Sequence, residues 1–297
     1  MKRTDLALEA RELWREKTAS ELPPGAEAET REAAGCTLET LRIVSPEAAE
    51  ALGKPAGTYI TLFPEALLGR EEGAFEGTAA LLGKLLRELL GLSEGASVLV
   101  AGLGNEAITP DSLGPRTLRH VLATRHLVDA LPETFGAFRK VAVLATGVLG
   151  NTGMESAELV KAAAEKLRPD AVIAVDALAS RRLGRVCRTV QLTDTGIAPG
   201  SGVGNARREL SRETLGVPVV GLGVPTVVDA ATLAADLTEL SGLGEAKAED
   251  FGAYGAGMVV TPREIDQEAA LMARLLGYGI DLALHDLSVS DVTALVG

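Results

Sequence analysis

Two aspartates follow apolar segments that have the composition of buried β-strands. Asp111 comes after SVLVAGLGNEA (97–107), and Asp176 ends the run AVIAV (171–175). A carboxylate in such a position is costly to bury unless it is paired, hydrogen-bonded or protonated. Two carboxyl groups held close together do not ionise independently, so one pKa rises and the pair retains a proton. Such a pair can take a proton from water and give one to a leaving amine.

Each aspartate also has a purely structural interpretation. PDSLGP (110–115) is typical of a turn in which Asp111 caps the next helix. Asp176 is of a residue type favoured at helix N-caps. The residue pattern leaves these interpretations open. We favour the hypothesis that Asp111 is placed to meet Asp176.

Four continuous apolar runs indicate the sheet that must position these residues: 98–101, 141–145, 171–175 and 217–222. Helix-length segments separate most of them: 112–127, 156–167 and 206–214. This alternation predicts an α/β fold with a mainly parallel sheet covered by helices on both faces. Ligands bind beyond the carboxyl ends of the strands in such folds, so the site is expected there.

Other segments surround this predicted sheet. Residues 36–44 and 57–63 alternate apolar and polar side chains and predict a small N-terminal antiparallel β element. Residues 186–193 also alternate and predict an edge or antiparallel strand. Helices are predicted at 78–92, 227–240 and 262–284. No repeat or linker divides the chain, so a single domain spanning 1–297 is expected.

Composition argues against several classes of protein. A net charge of −12 over 297 residues leaves no dominant basic footprint for general nucleic-acid binding. Cys36 and Cys187 form no CxxC pair, which favours a reducing compartment. The N-terminus has no apolar signal region, and the run 217–228 is shorter than the roughly 20 residues of a membrane span. A soluble cytoplasmic protein without membrane contact is expected.

The glycine-rich and histidine-based alternatives are weak. GLGNEA (102–107) matches a dinucleotide-binding pattern, but Pro110 and Pro115 interrupt the helix that this pattern requires. GSGVGN (200–205) is typical of an anion-binding loop or of a loop that a peptide approaches closely. The three histidines are His120, His126 and His285, and their spacing supports neither a metal site nor a triad. We therefore expect no cofactor and no metal.

Several segments of the chain, taken together, resemble the germination proteases, the spore endopeptidases of endospore-forming bacteria. The resemblance rests on RTDLALEA, VAGLGNEAITPDSLGP, TGVLGNTGMESAELV, AVDALASR, MVVTPREID and the run from 193 to 230. These segments cover most of residues 95–235 and parts of both ends. The resemblance implies an atypical aspartic endopeptidase of the spore core that degrades small acid-soluble spore proteins during germination. The family's two proposed catalytic aspartates lie in the motifs that match Asp111 and Asp176.

The resemblance also implies a fold, an assembly and a maturation step. The family fold is similar to that of the hydrogenase-maturation proteases (phosphorylase/hydrolase-like), and relatives form homotetramers. Family members are zymogens that trim their own N-terminus. Carried over to TDLALEA, the cut falls between Asp5 and Leu6 and removes residues 1–5. This prosegment is shorter than in the family, and the loop 242–257 replaces a longer family segment.

Several residues are expected to bind the substrate. Thr146, Gly147, Ser201 and Gly202 are the candidates for contacts with an oxyanion or with the substrate backbone. Family substrates carry acids around the cut, so positive groups are expected nearby, and Arg181 and Arg207 are the candidates.

Two other classes of function remain possible at the same residues. The first is a metal-dependent endopeptidase of the hydrogenase-maturation type, with Asp111 and Asp176 as ligands. The second is a non-enzymatic sensor in which both aspartates are caps.

Overall fold

The computed structural model describes residues 4–200, 207–244, 248–251 and 257–296. Its strands are β1 Ala26–Ala33, β2 Cys36–Ile43, β3 Gly57–Phe63, β4 Val98–Leu103, β5 Val141–Gly147, β6 Ala171–Ser180, β7 Val190–Thr193, β8 Val219–Asp229 and β9 Val259–Val260. They form one sheet in the order β1-β2-β3-β7-β8-β6-β4-β5, and β9 pairs with β8.

The helices cover both faces of this sheet. They are α1 Ala7–Thr18, α2 Pro46–Leu52, α3 Glu65–Leu68, α4 Ala74–Leu90, α5 Leu113–Leu118, α6 Arg125–Ala130, α7 Pro132–Phe135, α8 Leu149–Thr152, α9 Ser156–Leu167, α10 Arg212–Leu215, α11 Ala230–Leu240, α12 Ile265–Leu284 and α13 Val289–Val296. Short 3-10 turns lie at Thr109–Asp111, Leu183–Arg185 and Ala248–Phe251.

The prediction of an α/β fold flanked by helices is confirmed, but the prediction of a mainly parallel sheet is wrong. β6 pairs in parallel with β4 and β8, and β4 pairs in parallel with β5. The pairings β1–β2, β2–β3, β3–β7, β7–β8 and β8–β9 are antiparallel. The N-terminal antiparallel strands are therefore not a separate small element, because β7 joins them to the parallel half.

Strand β7 explains why the sequence suggested a different sheet. Its alternating pattern correctly predicted an antiparallel strand, but β7 lies inside the sheet between β3 and β8 and is not an edge strand. All four residues of β7 are buried. An alternating pattern carries no information about which strands lie beside the strand that has it. Strand β1 was missed because AEAETREA is polar and exposed along nearly its whole length.

Two predicted helices also differ from the observed ones. The segment 112–127 forms two short helices, α5 and α6, in place of one long helix. Of the segment 206–214, residue 206 lies outside the described residues, and α10 begins only at Arg212. By contrast, α9 coincides with the predicted 156–167.

The core explains how the elements are held in place. Side chains of α4 and α12 pack against one face of the sheet, around Leu82, Leu86 and Leu276. Helix α9 covers the parallel strands through Val160 in a second cluster. Helices α1 and α2 pack with Tyr59 of β3 in a third cluster. Burial of aliphatic side chains supplies most of the stabilisation in such a core.

Among the described helices, none combines the length and the apolar character needed to cross a membrane.

Candidate active site

Asp111 lies in the turn that follows β4. Its carboxylate Oδ2 accepts a 2.8 Å hydrogen bond from the backbone N–H of Asn105. The carbonyl oxygen of the preceding Pro110 accepts a 2.6 Å bond from the hydroxyl of Thr226 on β8. These bonds fix the turn against the parallel strands. Burial raises the pKa of Asp111, and the bond from Asn105 opposes that effect.

Glycines allow this turn to approach the strands. Gly104 has a φ of +104°, and a Cβ there would lie 2.0 Å from the carbonyl oxygen of Asp111. A Cβ on Gly114 of α5 would lie 2.7 Å from the carbonyl oxygen of Val175, the residue before Asp176. Neither contact is tolerable for a side chain, so the sequence must have glycine at both positions. The glycines thereby bring the segment that carries Asp111 next to β6.

Asp176 lies inside β6, whereas the sequence had suggested that it ends the strand. Its side chain is 5% exposed, and its Oδ1 accepts a 2.9 Å bond from the N–H of Ala177. Burial raises the pKa of Asp176 well above its ordinary value, and the carboxylates of Asp111 and Asp5 raise it further. Asp176 thus holds a proton more strongly than Asp111 does.

The strand register places a second polar side chain level with Asp176. Gly223 of β8 pairs with Asp176 on one side and with Gln191 of β7 on the other. Residues directly opposite each other in a sheet project from the same face. Asp176 and Gln191 therefore flank a position without a side chain. A cavity of about 90 Å³ lies here, and its lining includes Asp176, Gln191, Gly223, Lys54 and Asp5.

The N-terminal segment of the chain binds beside Asp176. The backbone N–H of Asp5 donates a 2.9 Å bond to the carbonyl of Ala179 on β6. In return, the N–H of Ala179 donates a 2.8 Å bond to the carboxylate of Asp5. Strand β4 pairs with β6 only as far as Val175, so Asp5 contacts the part of β6 beyond β4.

The carbonyl of Asp5 is bound from a different side of the cavity. It accepts a 2.8 Å bond from Nζ of Lys54 and a 3.3 Å bond from Nε2 of Gln191. The amide oxygen of Gln191 accepts a 2.7 Å bond from the N–H of Ala7. The peptide bond between Asp5 and Leu6 is thus held on both sides, and Leu6 is fully buried.

Glu9 anchors the first turn of α1 to the end of β6. This fully buried carboxylate accepts bonds of 2.6 Å and 3.0 Å from the backbone N–H groups of Arg181 and Arg182. It also accepts a 2.7 Å bond from the guanidinium of Arg185, and the hydroxyl of Thr4 donates to it. A buried carboxylate is stable only with such partners. The segment containing Asp5 is consequently fixed at its C-terminal side.

The other predicted substrate-binding residues that the structure describes are not among the residues lining this cavity. Thr146 and Gly147 end β5, with the Thr146 hydroxyl 3.1 Å from Oγ of Ser156. The guanidinium of Arg181 forms salt bridges with the carboxylates of Asp236, at 2.8 Å, and Glu16, at 2.9 Å. Arg207 lies 3.5 Å from Glu155. Their role in substrate binding stays a prediction, and Ser201 and Gly202 lie outside the described residues.

Sequence reasoning missed Lys54, Gln191 and Ala179. Lys54 follows α2 in a segment without a recognisable motif, and Ala179 acts only through its backbone. A polar Gln inside the apolar strand VQLT was the one signal that could have been read. Within the described ranges, no group of three or more His, Cys, Asp or Glu side chains is arranged to hold a metal ion.

Comparison with known proteins shows the family to which this chain belongs. The family model described as germination protease matches residues 5–241, which include Asp5, Asp111 and Asp176. A germination protease of Caldanaerobacter subterraneus subsp. tengcongensis is 41% identical, and the match covers 95% of this chain and 94% of that protein. Those of Clostridium perfringens (strain ATCC 13124) and Clostridium tetani are 37% and 38% identical, with at least 95% of both chains covered. The chain therefore belongs to the germination protease family and is a peptidase.

Proposed function

We propose that this protein is an endopeptidase that cleaves small acid-soluble spore proteins during germination, and that Asp111 and Asp176 are its catalytic pair. The observation that carries the proposal is that the chain's own Asp5 lines the same cavity as Asp176 and is hydrogen-bonded to β6 beside it. Its sequence, an acid followed by an apolar residue, has the form expected of the substrate. The N-terminal segment therefore serves as an internal example of how a substrate binds.

The electrostatics of the aspartates support a shared proton. Both pKa values are raised, and the carboxylate of Asp111 contributes to the rise at Asp176. One ionised aspartate accepts a proton from the attacking water. The other, protonated, polarises the scissile carbonyl and then protonates the leaving amine. The two groups titrate as a coupled pair, so these roles belong to the pair.

We extend the proposal to maturation. The peptide bond between Asp5 and Leu6 is the one that self-processing cuts, and residues 1–5 are the segment removed. In support, Asp5 is bound through its backbone and its carboxylate, whereas the chain beyond the bond is anchored by Glu9. Cleavage there would release Asp5 from the cavity wall, so that another substrate could bind in its place. The single domain of 1–297 would thus become a domain beginning at Leu6.

The setting follows from the family. We propose that the enzyme acts in the spore core and assembles as a homo-oligomer, with a tetramer as the expected state. It requires neither a cofactor nor contact with nucleic acid or membrane. These points rest on membership of the family, and analytical ultracentrifugation of the full chain measures the assembly directly.

A cleavage assay with purified full-length protein tests the proposed function. The substrate is a peptide bearing Thr-Glu followed by an apolar residue, and the cut is located by mass spectrometry. We expect cleavage after the acid, loss of cleavage in Asp111→Asn and Asp176→Asn, and no effect of a chelator. Loss of activity with chelator that a divalent ion restores would favour the metal-dependent alternative. Absence of cleavage after N-terminal trimming would favour the sensor.

A further inference from the structure

Two hydrogen-bond donors converge on a single carbonyl oxygen in the cavity beside Asp176. Nζ of Lys54 lies 2.8 Å and Nε2 of Gln191 lies 3.3 Å from the carbonyl oxygen of Asp5. In the proposed self-processing, this oxygen belongs to the peptide bond that is cut. Preorganised donors aimed at such an oxygen stabilise the charge that develops on it during hydrolysis.

The local fold fixes the ammonium group of Lys54. Helix α2 ends at Gly53, which has a φ of +63°, and the N–H of Lys54 bonds the carbonyl of Ala49 at 3.1 Å. This is a glycine-terminated helix end, and Pro55 then directs the chain into β3. Burial lowers the pKa of Lys54, whereas the carboxylates of Asp5 and Glu9 raise it. Lys54 thus supplies a partly buried ammonium group within hydrogen-bond distance of the carbonyl oxygen of Asp5.

The sheet fixes the amide of Gln191. This residue is 6% exposed and pairs with Thr61 of β3 on one side and with Gly223 of β8 on the other. Its Nε2 donates to the carbonyl of Asp5 while its Oε1 accepts from the N–H of Ala7. One side chain thereby contacts the backbone on both sides of the bond between Asp5 and Leu6. The contacts involve backbone atoms alone, so they are equally available to a substrate of different sequence.

We propose that Lys54 and Gln191 form the oxyanion site of this peptidase, binding the carbonyl oxygen of the residue before the cut. The proposal rests on the proposed proteolytic function. It replaces the protonated aspartate with Lys54 and Gln191 as the groups that polarise the carbonyl, and it leaves to that aspartate the protonation of the leaving amine.

Hydrolysis of the peptide bond between Asp5 and Leu6 involves one water molecule, the two aspartates and the two donors. The oxygen of water forms a bond to the carbonyl carbon of Asp5 and gives a proton to the ionised aspartate. The electron pair of the carbonyl moves to its oxygen, where Lys54 and Gln191 stabilise it. The carbon–nitrogen bond to Leu6 then breaks, and the nitrogen takes the proton of the other aspartate. A carboxylic acid and an amine result, and the pair is left with one proton.

Steady-state kinetics on full-length protein test the assignment, with the peptide RTDLALEA as substrate. We expect Lys54→Met to lower kcat by about 100-fold or more while KM changes less than about 3-fold, because the charge on the oxygen develops mainly in the transition state. Lys54→Arg should recover part of kcat. Gln191→Leu should lower kcat and also raise KM, because Gln191 bonds the N–H of Ala7 before the reaction.

Two control variants show whether loss of any lysine or glutamine changes kcat and KM. Lys84→Met removes an exposed lysine that pairs only with Glu88 on the described surface of α4, and Gln267→Leu removes an exposed glutamine. Both should retain the wild-type kcat and KM. Circular dichroism confirms that each variant is folded, and Gln191→Leu carries the test if Lys54→Met does not fold.

The two proposals fail in different ways. If the wild type cleaves RTDLALEA and folded Lys54→Met and Gln191→Leu keep kcat within about 3-fold, the oxyanion site is refuted while the protease stands. If the wild type cleaves neither this peptide nor its own N-terminus, the proposed function fails and the oxyanion site fails with it.

Discussion

The carboxylate of Asp5 accepts a 2.8 Å hydrogen bond from the backbone N–H of Ala179, and the N–H of Asp5 bonds the carbonyl of the same residue. A single residue of β6 thus forms hydrogen bonds with both the backbone and the acidic side chain of Asp5. If the substrate binds as the segment containing Asp5 does, a backbone amide of β6 is the donor that would select an acid before the cut.

The first prediction concerns this recognition of the acid. We expect Asp5→Asn to slow trimming of residues 1–5 by about 10-fold or more, because a hydrogen bond to a charged acceptor contributes about 1.5–3 kcal/mol. Intact-mass analysis over time measures the rate. Asp286→Asn, an exposed substitution near the end of α12, should trim at the wild-type rate. Equal rates in Asp5→Asn and wild type would remove Ala179 from substrate selection.

The second prediction concerns the catalytic pair. Asp111→Asn and Asp176→Asn should each lower kcat by about 1,000-fold or more, since an amide cannot exchange the proton that the reaction needs. Asp176→Asn should not lower the melting temperature, because burial already favours the uncharged form of this side chain. Peptide cleavage and thermal unfolding, followed by circular dichroism, are the measurements. A variant with appreciable turnover would rule out the Asp111–Asp176 mechanism.

The third prediction concerns pH. Because the pKa of Asp176 is raised, the pair holds its proton into a higher pH range than an ordinary carboxyl. We expect kcat to fall as the pH rises through the pKa of Asp176, when the pair loses that proton. It should also fall in acid, when both members are protonated. The pH profile of kcat on RTDLALEA gives both limits, and a profile flat between pH 4 and 9 would contradict a shared proton.

The fourth prediction concerns Asp281, a buried carboxyl outside the site. Its Oδ1 accepts a 3.0 Å bond from the N–H of Leu122, while its Oδ2 has no hydrogen-bond partner among the described residues. Burial raises the pKa of Asp281 to about 7. The folded state therefore binds more protons than the unfolded state, and this group's contribution to stability falls as the pH rises from about 4 to about 7.

Asp281→Asn keeps the acceptor for Leu122 and removes the buried charge. We expect it to raise the free energy of unfolding by about 1–3 kcal/mol at pH 8 and by less at pH 5. Urea unfolding at the two pH values measures the difference. Burial and the nearby Arg139 lower the pKa of His285 to about 4, and that contribution cancels because wild type and variant share it. An equal effect at both pH values would show that Asp281 titrates normally.

Much of the site was predictable because its residues lie in local patterns. Short apolar runs predicted the buried strands, and the spacing of the glycines predicted the turn after β4. The acid at position 176 stood out because it follows such a run. Local sequence also marked the segment containing Asp5 and Leu6 as a peptide of substrate type through its resemblance to the family.

Other features depend on contacts between distant segments and were not predictable. Strand β8, which comes much later in the chain, lies between β6 and β7 and so brought Gln191 level with Asp176 on either side of Gly223. The same folding brought Lys54, from the end of α2, to the carbonyl of Asp5. Neither Lys54 nor Gln191 belongs to a recognisable sequence motif. Each becomes relevant to the site because the fold places its donor next to the carbonyl oxygen of Asp5.

Hydrophobic periodicity and residue type act over short distances, so the sequence alone predicted most of the buried strands and the acids available for chemistry, although it did not predict the polar strand β1. The mixed pairing of the sheet and the position of Asp5 at the cavity beside Asp176 depend on the tertiary structure. The physical reason is that strand partners and cavity walls are selected by the total burial and hydrogen bonding of the whole chain, which no local pattern records.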